Sequence, residues 1–162
     1  MNIIVIGIGQ SLRGDDGIGP EAVGLWSTVH PQTAEDPRIL ILLLETPGLG
    51  LLADLETPDA ALLVDAVSTG RSAGSVGVFD PIPDTGLSAA EKTAHGFGVA
   101  ESISVARKTG ARLPPRLVLI GIEGEQYELG RGLSDSVRAA LPAAAEKLQQ
   151  VVSGLFSTKS TK

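Results

Sequence analysis

Asp16, Asp65 and His95 are the residues of this chain whose types could do chemistry together. They offer two carboxylate groups and one imidazole nitrogen. That donor set suits a borderline divalent metal such as nickel or zinc, with coordination positions left open. Asp65 stands out because it interrupts the apolar run LLVDAV (62–67). A charge in such a run must be paired, exposed in a cleft or bound to a metal. The plainer alternative is a carboxylate satisfied by neighbouring backbone N–H groups. Asp15 and Asp16 follow a glycine loop, in GIGQSLRGDDGIGP (7–20). Acids there also favour the dipole of a following helix, or cap it. Of the two histidines, His30 precedes Pro31 at a helix end, where a surface or capping role suits it. His95 opens a predicted helix.

The same glycine loop invites a phosphate reading. A dinucleotide fingerprint needs G-x-G-x-x-G; Gly7 and Gly9 fit, but the third position is Leu12. Gly9 and Gly14 have Walker spacing, but Asp15 and Asp16 stand where Lys and Ser/Thr belong, and carboxylates repel phosphate. Glu45 at the end of the second strand sits where a ribose-binding acid would, which keeps a nucleotide-binding Rossmann-like domain as an alternative. GRSAG (70–74) matches the nucleophile elbow, but a strand-like VGVF follows it instead of a helix, so a solvated hairpin loop is expected. DTG (84–86) has the aspartic-protease pattern, yet Pro81 and Pro83 before it disfavour strand pairing, and a turn is expected.

The elements that must position these residues alternate along the chain. Apolar, β-branched runs predict strands at residues 2–8, 38–44, 59–67, 76–80 and 116–122. Helices are expected over 17–29, after Pro47, over 95–110 with Gly110 as the stop, and from Ser134 as N-cap onward, with Pro142 kinking or loosening the last one. A long loop is expected to run to about Thr93. Strands alternating with helices imply an α/β three-layer sandwich around a twisted, largely parallel five-stranded sheet. Residues 1–155 read as one domain and 156–162 as a flexible tail. Ligands of such sheets bind beyond the carboxyl ends of the strands, where Gly9, Glu45, Asp65 and Ile122 fall.

Composition narrows the function classes. Hydrophobic residues make up 43 % of the chain and aromatics only 3 %, so aliphatic side chains must fill the core. With 13 basic against 19 acidic residues the net charge is -6, which argues against a general grip on nucleic acid or on anionic membranes. The chain has no cysteine, which excludes disulfides, thiolate metal sites and cysteine nucleophiles. No apolar run reaches the roughly 20 residues that span a bilayer, and MNIIVIGIG lacks the marks of a signal peptide. A soluble, cytoplasmic protein is expected, as a monomer.

In order along the chain, IGIGQSLRGDDGIGPEAV, LLVDAV, AHGFGVAESI, LVLIGIEGE and GLSDSV resemble the hydrogenase maturation proteases. These are the endopeptidases that process the large subunit of [NiFe] hydrogenases. The resemblance covers nearly the whole chain and implies a five-stranded α/β sandwich. It implies that Asp16, Asp65 and His95 are the metal-binding and catalytic residues, and it assigns the metal part to Asp16 and the capping part to Asp15. It implies recognition of nickel already inserted in the large-subunit precursor, followed by removal of a C-terminal peptide. Zinc or cadmium is expected to occupy the same site in vitro. The glycines of the first loop are expected to let the backbone approach an incoming peptide closely. Two positions depart from the family pattern. Gln10 replaces the usual Asn, and LETPG (44–48) only loosely matches a segment linked to substrate choice, which makes Glu45, Thr46 and Gly48 the expected substrate-binding residues. A non-catalytic, metal-binding maturation chaperone on the same fold is the alternative within this resemblance.

Overall fold

The computed structural model describes residues 1–81, 92–93 and 98–158. Strand β1 (Ile3–Ile8) is buried at every position, because it lies between two parallel neighbours and is covered on both faces. On one side is β2 (Ile39–Leu44), on the other β3 (Ala60–Ser68). Beyond β3 comes β6 (Arg116–Glu123), parallel to it, and then β4 (Val76–Phe79), antiparallel at the edge. The order is β2-β1-β3-β6-β4, the expected five-stranded, mostly parallel sheet. A two-residue strand, β5 (Lys92–Thr93), adds an antiparallel pairing at the carboxyl end of β3 and shortens the expected loop.

Side-chain alternation on the strands divides the core in two. Val5, Leu62, Val64, Ile120 and Ile122 face one layer, which holds α1 (Ile18–Val29) and α5 (Asp135–Ser157). Ile4, Ile6, Leu63 and Leu119 face the other, which holds α3 (Leu49–Asp54) and α4 (Val99–Thr109). A short α2 (Pro31–Ala34) completes the connection from α1 to β2. Trp26, the single tryptophan, is fully buried and donates from Nε1 to Gln149 Oε1 at 2.9 Å, tying α1 to α5. His30 ends α1 and meets Glu146 of α5 at 2.8 Å, in keeping with a surface and cap position.

Several boundaries move. A 3-10 turn (Gly14–Gly17) precedes α1, so Asp15 and Asp16 lie in their own turn and do not cap the helix. Ser134 is the N-cap residue of α5, but its hydroxyl makes no cap bond. Residues 156 and 157, expected in the tail, belong to α5, and the Phe156 ring carries the Arg38 guanidinium at 4.3 Å. The helix continues through Pro142. His95 and the DTG segment (84–86) lie outside the described residues.

Candidate active site

The first loop is built on its own backbone. Gly9 N–H extends the β1–β2 pairing onto the Leu44 carbonyl at 2.9 Å. Gly9 then takes a φ of 143°, and a Cβ there would fall 1.8 Å from the Asp16 carbonyl oxygen. Only glycine allows the chain to double back this tightly. Gln10 N–H donates to Asp16 Oδ2 at 2.8 Å. The N–H groups of Arg13, Gly14, Asp15 and Asp16 go to the carbonyls of Gln10, Arg131, Gln126 and Arg13. A phosphate cradle needs such N–H groups turned toward its ligand. Here they are engaged within the protein, which removes the basis of the nucleotide alternative. The expectation that these glycines open the backbone to an incoming peptide is corrected at Gly9, where the space belongs to Asp16.

Helix α1 then brings the two aspartates to one end of the sheet. A Cβ on Gly19 would lie 2.4 Å from the carbonyl oxygens of both Ile8 and Val64. The helix therefore rests directly on the ends of β1 and β3. Asp16 sits in the turn leading into that contact, and Asp65 follows Val64 on β3. Both are completely buried. Two carboxylates are thus buried at the same end of the sheet. Among the described residues no cluster of three acidic or imidazole side chains is arranged to hold a metal. The third expected ligand, His95, is outside those residues.

Asp15 does different work. It is fully buried, and its Oδ2 accepts from the N–H groups of Glu125 and Gln126 at 2.9 and 3.0 Å and from Ser134 Oγ at 2.9 Å. Its Oδ1 accepts from Ser134 N–H at 2.7 Å. Asp15 thus fastens the 3-10 turn to the loop between β6 and α5, and this is why Ser134 Oγ does not cap its helix.

Two residues of this region were not singled out in the sequence. Glu123 ends β6, is nearly buried, and accepts from Thr69 N–H, Thr69 Oγ1 and Gly70 N–H. Its signal was the one that marked Asp65, a charge closing an apolar strand. Tyr127 is the only tyrosine. Its hydroxyl lies over Gly124, 2.3 Å from where a Cβ would stand. It is buried and has no hydrogen-bond partner among the described residues. Burial pushes the phenol well above its ordinary pKa, and the negative field of Asp15, Glu123, Asp65 and Asp16 adds to the shift. Glu45 and Thr46 are exposed beyond β2, with Gly48 half-buried just before α3. GRSAG lies in the connection from β3 to β4, but this is not the expected hairpin, because β6 lies between those two strands in the sheet and pairs with both.

The chain is similar to known proteins of one family. The family model for HycI, hydrogenase maturation protease, matches residues 27–151. The hydrogenase 2 maturation protease of Escherichia coli K12 is 29% identical over 149 residues, covering 91% of this chain and 88% of that protein. The hydrogenase expression/formation protein HupD of Bradyrhizobium diazoefficiens is 34% identical over 154 residues, covering 93% and 77%. The solved structure of the E. coli hydrogenase maturating endopeptidase HybD superposes with a TM-score of 0.74 at 25% identity, covering 95% of this chain and 93% of that one. The chain belongs to the hydrogenase maturation proteases, endopeptidases and therefore hydrolases.

Proposed function

We propose that this chain is a nickel-dependent endopeptidase that removes the C-terminal extension of a [NiFe] hydrogenase large-subunit precursor once nickel has been inserted. The observation that carries the reading is the pair of fully buried carboxylates, Asp16 and Asp65, at the carboxyl end of the sheet in a protein of this family. The nickel is cargo of the precursor. Asp16, Asp65 and His95 are the residues that would receive it, and zinc or cadmium would fit the same oxygen and nitrogen donors in vitro. When docked, the ion would supply Lewis acidity toward the scissile carbonyl.

The chain's own part is to hold and orient. The Gln10 N–H fixes one oxygen of the Asp16 carboxylate. Strand β3, paired on both sides, fixes the backbone at Asp65. A carboxylate held out of bulk water is suited to take the proton of the attacking water. Glu45, Thr46 and Gly48 would meet the precursor's surface and select it. A net charge of -6 supports a protein partner over nucleic acid or an anionic membrane. No helix among the described residues is long and apolar enough to cross a membrane. The reading includes a monomer acting in the cytoplasm.

The test is mass spectrometry of the nickel-loaded precursor after incubation with the purified protein. The wild-type chain shortens it. The Asp65→Asn variant, with an unchanged circular dichroism spectrum, leaves it at full length. Complete processing by that variant would remove Asp65 from the mechanism.

A further inference from the structure

The sheet has two edges, and they are not alike. β4 is a short, four-residue strand, antiparallel to its neighbour β6, and a short edge strand is an ordinary way to close a sheet. β2 is a parallel edge of six consecutive apolar residues, ILILLL, with neither charge nor proline inside it. Leu40 and Leu43 are 56% and 59% exposed. Natural edges of this kind are normally blunted by lysine, proline, a bulge or a covering element.

The hydrogen-bond pattern shows which backbone groups are left. Ile3 N–H donates to Arg38 C=O and Gly9 N–H to Leu44 C=O, so the even-numbered residues of β2 turn toward β1. Ile39, Ile41 and Leu43 therefore turn outward. Ile39 N–H is taken by the Asp36 carbonyl at 2.8 Å. The outward N–H and C=O groups of Ile41 and Leu43 have no partner among the described residues. The edge also has a direction. Its carboxyl end is bonded to Gly9, and the next residue, Gln10, holds Asp16.

We infer that the free edge of β2 receives the precursor as an added strand, pairing the backbone of an extended apolar segment with Ile41 and Leu43 and leading it into the site. This inference rests on the function proposed above. The continuity of the edge with the loop that holds Asp16 favours this occupant over a second copy of the chain, since a copy would gain nothing from that end. Charge favours it too. Glu45 is exposed just past the strand in a chain of net charge -6, so the fitting segment carries a cationic side chain at the end nearest the site. Three strand spacings separate an added strand from β3, about 14 Å, which an extended chain covers in about four residues. The paired segment thus lies about four residues from the scissile bond.

Replacing Leu43 with proline tests this directly. The substitution removes one outward N–H and leaves the groups facing β1 in place. With the nickel-loaded precursor as substrate, Leu43→Pro is expected to raise KM about tenfold or more, the effect of one or two lost backbone hydrogen bonds, with kcat within about twofold. Leu43→Ala keeps the N–H and stays within about threefold in KM. A folded Leu43→Pro protein with the wild-type KM overturns the inference. Hydrogen exchange on the wild-type protein gives a second reading that needs no variant. The amides of Ile41 and Leu43 become protected when the precursor binds. Their unchanged exchange in the complex overturns the inference, as does protection that appears without precursor and grows with protein concentration, which would mean pairing between copies. If the wild-type protein leaves the precursor uncut, the proposed function fails, while the exchange measurement still decides the edge.

Discussion

Replacing Asp15 with asparagine separates a carboxylate that builds this end of the fold from the ones proposed to act there. Asp15 Oδ2 accepts three hydrogen bonds and Oδ1 one, all from residues 125–134. An asparagine can keep its oxygen where the three donors converge. Its NH2 then faces the Ser134 N–H, and one buried donor loses its acceptor. That orphaned group costs about 1–3 kcal/mol, and loss of charge from the three remaining bonds costs roughly 0.5 kcal/mol each, for a total of about 3–4 kcal/mol. For a chain of this length the melting temperature should fall by about 10 °C. Urea unfolding followed by the fluorescence of Trp26 reads the change, because this single tryptophan is fully buried between α1 and α5. A loss below about 1 kcal/mol would refute the clamp, since it would mean that these four bonds are replaced by water at no cost.

Two further outcomes follow from the same geometry. Gly19→Ala places a methyl group against the carbonyls of Ile8 and Val64, so α1 must move off the sheet and carry the Asp16 turn with it. We expect about 1–3 kcal/mol of destabilisation and a large loss of precursor cleavage, whereas Gly24→Ala, in the same helix with nothing near its Cβ, should stabilise by up to about 1 kcal/mol. Equal thermal shifts for the two variants would contradict this packing. Tyr127, as the only tyrosine, can be followed by its ultraviolet absorbance during alkaline titration. Its raised pKa means that the fold favours the neutral phenol. Stability from this source is complete below the ordinary value of 10.0 and is lost as pH rises above it. Tyrosinate forming at the ordinary value in the folded protein would show that the phenol is not buried among carboxylates.

Much of the fold was legible because its strands are covered on both faces. A parallel sheet inside helices demands apolar runs, and NIIVIGI, AALLVDAV and RLVLIGI carry them nearly without interruption. Asp65 and Asp16 were legible for the complementary reason, as charges where apolar or glycine-rich patterns should continue. What could not be read depends on contacts between distant parts of the chain. Asp15 looked like a helix cap because acids before a helix usually are, yet its partners lie 110 to 119 residues away. The same holds for Phe156, which lies within α5 past the expected boundary and whose ring meets Arg38 from the far end of the chain.

The glycine loop shows how one local pattern can serve opposite chemistries. In a phosphate loop, glycines free the backbone N–H groups to face an anion. Here the same spacing turns them inward. Within the loop, Gln10 N–H holds the Asp16 carboxylate and the N–H groups of residues 13–16 go to backbone carbonyls, while from the loop between β6 and α5 the N–H groups of Glu125, Gln126 and Ser134 hold the carboxylate of Asp15. The anion these amides bind is part of the protein itself. A loop whose donors already carry fixed negative charge cannot attract a second anion, but it can present a carboxylate edge to a cation. The sign of the ligand is therefore set by which side of the loop the N–H groups face. That orientation follows from Gly9, where the chain doubles back on Asp16, more than from the presence of glycines as such.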